Sequence, residues 1–448
     1  MTDSFLRRLL IGFSLATALV VPAPRAALAE EAVATAASEA QPEPSAEPAR
    51  KKTRKEERAE RKKQIVKPRT SRTFGKVREH LDAERYAEAE EALGKLRLDK
   101  LSPYERAQTY RLYGYAAYGQ QHNDAAIEHL RKSLAEADGL APADRAEVLF
   151  QIAQIQGVER RWQDVIETLE AWFQTVERPN SVGYFLMALS YYQLEDFDGA
   201  LLPAKKAVEI AKKPQQAWLQ LLLAIHLTQK DFPAATRVLD EMIALYPNAG
   251  KDYWLQLSAL HGITADEARA LGVLEIAYQK GLLTEDRDLR RLLQMMLARG
   301  IPHRAATIFE KEMAEQRFQQ DPEALELLSI AWILAREARK AEEPLAQAAE
   351  LAAKGELYVR LAQIHLMQEE WDEAVAALRK GLAKGGLGDP GTAQLLLGIA
   401  YYNERNLPEA RSWFAHAQRS AGTREQAQSW LEHIDRELAE GSAGGTAG

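Results

Sequence analysis

From residue 89 onward one local pattern recurs ten times. A bulky residue is followed by two others, then a small residue, then apolar positions four and seven further on. The small residues are Ala89, Ala126, Val165, Ala200, Ala235, Ala270, Ala305, Ala341, Ala374 and Ala410. Successive spacings are 37, 39, 35, 35, 35, 35, 36, 33 and 36 residues. Chance does not hold such an interval, and a period of this length marks stacked supersecondary units. No other feature restricts the fold as much, because a unit this short cannot enclose a core of its own.

A second apolar stripe lies twelve residues upstream of each marker. It reads Tyr184, Met187, Ala188 and Tyr191 before Ala200. It reads Tyr358, Leu361, Ala362 and His365 before Ala374, and Leu396, Leu397, Gly398 and Tyr401 before Ala410. Steps of three and four put these residues on one face of a helix. Each unit is therefore expected to be two short helices joined by a tight turn such as NERNLP or QEEWDE. Antiparallel helices approach to ~8–10 Å only where the crossing side chains are small. Gly398 is the expected crossing residue of its first helix, with Ala410 as its partner on the second. Tyr401 and Phe414 are expected to fill the space toward the neighbouring unit.

The flanks have a different character. Arg7 and Arg8, an apolar run over Leu9–Val21 and Ala27-Leu28-Ala29 before Glu30 have the form of an export signal, residues 1–29. The apolar run is too short to span a bilayer comfortably. Export places the mature chain in the periplasm of a Gram-negative bacterium. Glu30–Pro48 carries five glutamates and no basic residue, whereas Arg50–Arg72 carries twelve Lys or Arg against three Glu. Neither has an apolar stripe, so residues 30–72 read as a disordered, charge-segregated arm. From Thr73 onward 43 basic residues face 56 acidic ones, so the array is itself acidic. Residues 441–448, only Gly, Ser, Ala and Thr, read as a disordered tail.

Leu397-Gly398, Tyr401, Ala410, Phe414 and Ala417 together resemble the tetratricopeptide repeat (TPR) signature, and Trp218 and Pro247 fit it in the fifth unit. The resemblance covers about three-quarters of the chain and speaks for fold far more than for function. It implies an all-α, right-handed α-solenoid of about ten TPR hairpins over residues 73–420, closed by a capping helix over 421–440. Three segments more narrowly resemble exported TPR proteins encoded beside TonB–ExbB–ExbD energy-transducing systems. They are YPNAGKDYWLQLSAL (Tyr246–Leu260), ARGIPHRAATIFEKEM (Ala298–Met313) and LRKGLAKGGLGDPGTAQLLLGIA (Leu378–Ala400). That resemblance implies a non-catalytic, protein-binding role in the cell envelope, with TonB, ExbB or ExbD as partners. The alternatives are a scaffold for outer-membrane assembly or polysaccharide export, and a regulatory subunit of an envelope enzyme.

In such a solenoid, first helices line a concave groove. The positions one beyond the crossing residue, and three beyond that, point into it. They are Tyr115 and Tyr118 in the second repeat, Leu189 and Tyr192 in the fourth, and Ile399 and Tyr402 in the tenth. Phe185, four before Leu189, lies on the same stripe. Aromatic residues on an exposed face suit a peptide or helix partner; the competing reading is packing between repeats. Arg50–Arg72 suits an anionic membrane surface, a phosphate-bearing polymer or a plain tether. Export and the lack of interleaved aromatics argue against nucleic acid.

No chemistry-bearing constellation emerges. The absence of cysteine excludes disulfides and thiolate metal sites. KGGLGDPG (Lys384–Gly391) lacks the spacing of a phosphate loop and reads as the break between repeats nine and ten, with Pro390 opening the next helix. His122, His129, His226, His261, His303, His365, His416 and His433 fall on separate repeats and read as structural. Glu369-Glu370 reads as a solvated turn. No catalytic residue, metal or cofactor is expected.

Overall fold

The structure, a computed structural model, describes residues 64–136 and 138–444, the last five by backbone alone. The export signal, the arm up to residue 63 and the end of the tail lie outside the described residues. Among these residues there are twenty-one α-helices and one 3-10 turn, and no strand. None of the helices is long and apolar enough to cross a membrane. The chain divides into two compact units, one ending at Asp266 and one beginning at Glu267.

The first unit holds α1 (Pro68–Asp82), α2 (Tyr86–Gly94), α3 (Pro103–Gly119), α4 (Asn123–Ala135), α5 (Pro142–Val158) and α6 (Trp162–Thr175). It continues with α7 (Ser181–Gln193), α8 (Phe197–Ile210), α9 (Gln216–Thr228), α10 (Phe232–Leu245) and α11 (Lys251–Ile263). The second holds α12 (Glu267–Gln279), α13 (Asp286–Ala298), α14 (Pro302–Ala314), α15 (Pro322–Leu334) and α16 (Ala338–Leu351). It ends with α17 (Glu356–Met367), α18 (Trp371–Lys384), α19 (Pro390–Asn403), α20 (Leu407–Ala417) and α21 (Arg424–Gly444). Nine hairpins thus have both helices within one unit. The sixth expected repeat supplies α11 to the first unit and α12 to the second.

Two boundaries differ from the sequence expectation. The first helix opens at Pro68, so the last five residues of the expected arm are helical. Thr70, Phe74 and Val77 form its buried stripe. Glu105 holds its entrance by accepting from the Lys67 backbone N–H at 2.8 Å. The capping helix runs from Arg424 to Gly444, into the expected tail. Lys384–Gly391 is the expected break, and Asp389 caps α19 by accepting from the Gly391 N–H at 3.0 Å.

Each hairpin turns in the same way. Five residues before every marker sits a residue in the left-handed region: Glu84, Gln121, Arg160, Glu195, Lys230, Ala265, Gly300, Arg336, Glu369 and Arg405. Their φ angles lie between 55° and 73°. The next N–H reaches back across the turn, from Asp196 to the Tyr191 carbonyl at 3.0 Å and from Glu370 to that of His365 at 2.9 Å. This is the Schellman closure of a helix C-terminus. The residue that completes it also precedes the second helix, so one backbone device ends one helix and starts the next. Nine of the ten left-handed residues are not glycine, at a cost of roughly 1–2 kcal/mol each. The packing of the hairpins offsets that cost.

The core follows the marker register. Ala89, Ala126, Val165, Ala200, Ala235, Ala270, Ala305, Ala341, Ala374 and Ala410 have no exposed surface. Gly398 is also buried, and the nearest atoms across the crossing belong to Phe414. A β-carbon on Gly398 would lie 2.6 Å from Cδ1 and Cε1 of the Phe414 ring. Gly114, the equivalent residue of the second repeat, meets Leu130 Cγ and Cδ2 at 2.9 Å in the same way. The crossing therefore nests a glycine under the large residue sixteen positions later, and in the second repeat the small residue twelve later is also close, with the Ala126 carbonyl oxygen 3.4 Å from the same β-carbon position. Side chains on a helix lean back over the preceding turn, which carries the larger residue over the gap.

Candidate functional site

The groove residues predicted from register separate into three groups. In the fourth repeat, Phe185, Leu189 and Tyr192 are buried, at 1%, 1% and 2% exposure. Phe185 stacks on Trp218 of α9 with centroids 5.6 Å apart, and Tyr192 meets Phe197 edge-on at 5.5 Å. These three are packing residues, which corrects their assignment to an open face. Trp218 of the next repeat, about one period after Phe185, covers Phe185, while Phe197 of the same hairpin covers Tyr192.

In the tenth repeat, Ile399 and Tyr402 are half-buried. Tyr402 belongs to the contact with α21. Its hydroxyl lies 3.0 Å from His433 Nε2 and donates to Glu437 Oε2 at 3.0 Å. Its ring centroid is 5.1 Å from that of Trp430. Burial and the Glu437 carboxylate push the Tyr402 hydroxyl pKa up. The helix that closes the array thus engages the residue expected to face a partner.

The second repeat is different. Tyr118 is 42% exposed and Tyr115 is half-buried. Both project from α3, which Ser102 and Glu105 anchor through reciprocal capping bonds at 3.2 and 2.9 Å. The Tyr115 hydroxyl accepts from Arg111 Nη2 at 2.9 Å and from Gln151 Nε2 of α5 at 2.7 Å. Arg111 Nη2 also pairs with Glu147 Oε1 at 2.8 Å, and Nη1 lies 3.9 Å from Asp144 Oδ1. The Arg111 side chain is only 9% exposed. Burial opposes its charge, but Tyr115 and Glu147 beside it hold the guanidinium more firmly protonated.

Three polar functions of this cluster are not used within it. Arg111 Nε and Gln151 Oε1 are buried without a hydrogen-bond partner in the protein. The Tyr115 hydroxyl accepts twice, so its own proton is directed at a further acceptor. A buried donor or acceptor left unpaired costs about 1–3 kcal/mol. Arg111 Nε and Gln151 Oε1 both lie beneath the surface, so what remains for a partner is the Tyr115 hydroxyl proton and the exposed Tyr118 ring. Register analysis reaches Tyr115 and Tyr118 but misses Arg111, Glu147 and Gln151. The four-residue step that leads from Leu189 to Phe185 also leads from Tyr115 to Arg111.

Elsewhere the turn at Glu369-Glu370 is only partly solvated as expected. Glu370 Oε2 lies 2.7 Å from His365 Nδ1, so this carboxylate is engaged. The same turn geometry places His226 Nδ1 3.4 Å from Asp231 Oδ2. His226 is buried, and burial is the main cause of its lowered pKa.

No protein-family model matches the sequence, and no curated protein matches it. Among solved structures the chain is similar to YrrB, described as a TPR protein with an unusual peptide-binding site. That match has 14% identity and a TM-score of 0.33, over 39% of this chain and 85% of the other. A tetratricopeptide repeat protein from Parabacteroides merdae matches at 12% identity and a TM-score of 0.33, over 66% and 99%. The complex of Naa15 and Naa10 with HypK matches at 11% identity and a TM-score of 0.39, over 75% of this chain and 61% of that one. By its marker register, its repeated hairpin closure and its buried small residues, the chain is an all-α array of tandem helical hairpins that resembles tetratricopeptide repeats.

Proposed function

We propose that the chain is a non-catalytic, protein-binding scaffold of the periplasm, accessory to a TonB-type energised transport system. The observation that carries the binding part is the cluster on α3 and α5. Tyr118 presents an exposed ring, and the Tyr115 hydroxyl one turn before it, held by Arg111 and Gln151, has its own proton left to donate. An extended segment laid along these helices accepts that proton and covers the ring. The periplasmic part is supported by the form of residues 1–29, and the transport part by the three segments that resemble TonB-cluster TPR proteins. Contact of Arg50–Arg72 with an anionic membrane surface belongs to the same reading, its positive charge serving to hold the array near the membrane.

The test is affinity capture from envelope extracts with the mature chain and with a Tyr115→Ala/Tyr118→Ala variant. Retention of ExbB, ExbD or TonB by the first and its loss with the second supports the reading. Retention of an outer-membrane assembly or polysaccharide-export machine instead overturns the transport assignment. Equal retention by both chains overturns the site.

A further inference from the structure

Four first helices carry histidine nine residues before the marker: His80, His226, His261 and His365. In three of them the residue five further on is acidic: Asp231, Asp266 and Glu370. The turn brings His226 to 3.4 Å from Asp231 and His365 to 2.7 Å from Glu370, whereas His261 lies 3.5 Å from Asp240 of the preceding repeat, and such a pair by itself indicates nothing further. The ninth repeat adds a third group. Glu342 of α16, directly after the marker of the eighth repeat, joins His365 of α17 and Glu370 at the start of α18. One ligand atom from each lies within 4.8 Å of the others, and all three side chains are half-buried. The residues in the place of Glu342 before His226 and His261 are Leu201 and Thr236, which cannot supply a carboxylate.

The charge balance points the same way. Neither Glu342 nor Glu370 has a lysine or arginine partner among the described residues; their hydrogen bonds are to Gln368 and His365. Two carboxylates thus flank an imidazole in a partly dehydrated place with no cation to balance them. Gln368 also presents an amide oxygen beside Glu342 once its side chain rotates.

We propose that Glu342, His365 and Glu370 bind one divalent transition-metal cation of the zinc(II) class, with the Gln368 amide oxygen or water completing the shell. Mixed imidazole and carboxylate donors suit zinc, nickel or copper, whereas calcium and magnesium take all-oxygen sets. Zinc bonds of about 2.0–2.2 Å set tetrahedral donor atoms roughly 3.3–3.5 Å apart. Glu370 backs away slightly from His365 and Glu342 closes in, both by side-chain rotation. The cation takes the Nδ1 lone pair. Any proton shared between His365 and Glu370 leaves to solvent, and the ring keeps its proton on Nε2. Bound in this way, the cation ties α16, α17 and the start of α18 together within the second unit.

The untagged mature chain is titrated with zinc(II) by calorimetry and with cobalt(II) by visible absorption. One equivalent binds saturably, with d–d bands of a four- or five-coordinate site. His365→Ala, Glu342→Gln and Glu370→Gln each weaken binding at least tenfold, while Glu369→Gln, a neighbouring carboxylate outside the set, leaves it unchanged. The two Glu→Gln variants keep size and shape and decide the matter if His365→Ala fails to fold. Absence of saturable binding overturns the proposal, as does unchanged binding in Glu342→Gln or an equal loss in Glu369→Gln.

Discussion

Replacing Gly398 by alanine sets two opposing effects against each other. Alanine is favoured over glycine in a helix interior by about 1 kcal/mol. The new β-carbon, however, lies 2.6 Å from two carbons of the Phe414 ring. Carbon atoms rest at about 3.5–4.0 Å, so the ring must retreat by nearly 1 Å. It has no room, because Phe414 is fully buried and lies parallel to Trp430, 5.3 Å between centroids and 2° from coplanar. Overpacking of this kind costs roughly 1–3 kcal/mol. The crowding wins, and the net loss is about 1 kcal/mol, or fivefold in a local opening equilibrium. Gly75→Ala is the matched control, since nothing lies within 4 Å of its added carbon. There the propensity gain of about 1 kcal/mol stands alone. Native-state hydrogen exchange reads both changes locally, which suits a repeat array whose unfolding need not be two-state. Amides of α19–α21 exchange about fivefold faster in Gly398→Ala, and those of α1 about fivefold slower in Gly75→Ala. Unchanged or slower exchange in Gly398→Ala refutes the close-crossing argument.

Other consequences are equally accessible. Phe185→Ala removes a fully buried ring stacked on Trp218 and is expected to destabilise α7–α9 by about 3–5 kcal/mol, read by the same exchange experiment. Burial raises the Glu105 pKa, but the Ser102 and Lys67 backbone N–H groups with the Thr70 and Ser102 hydroxyls outweigh it and lower the value overall. Its stabilising effect is then full above the ordinary glutamate pKa of about 4.3 and is lost as pH falls through the lower folded value. An acid titration followed by proteolysis at the α1 entrance shows this for the natural chain, and Glu105→Ala exposes the same cleavage already at neutral pH. His226 has a lowered pKa because it is buried, with Lys205 and Arg237 adding to the effect and Asp231 opposing it. Its contribution is complete above about pH 6.5 and is lost as pH falls through the folded value. His226→Tyr, which installs the residue found in the same register at Tyr191 and Tyr401, flattens that loss in α9–α10 exchange.

Much of the architecture is written in the small residues. Ala89 through Ala410 are each fully buried near the start of a second helix, where a larger side chain would hold the hairpin apart, and their interval counts the hairpins. The turns are less legible. Glu195, Lys230, Arg336 and Glu369 adopt a backbone region that composition assigns to glycine or asparagine; hairpin packing imposes it, and local preference does not. Phe185, Leu189 and Tyr192 escape the register for a related reason. Register tells which side of a helix a residue occupies, but not whether the next repeat carries a tryptophan large enough to cover it. Arg111 and Gln151 are 40 residues apart in sequence and meet through the common acceptors Tyr115 and Glu147. Glu342, His365 and Glu370 come from three successive helices, and no spacing motif records their meeting.

In the second and tenth repeats a first-helix glycine nests beneath the large residue sixteen positions later, and the close approach of the two helices there rests on this nesting. Nuclear Overhauser contacts test it directly in a chain with protonated Gly, Phe and Leu on a deuterated background. Strong contacts are predicted from the Gly398 α-protons to the Phe414 ring and from those of Gly114 to the Leu130 methyls. If both are missing while the helices themselves remain intact, the hairpins do not cross as described, and the packing account fails.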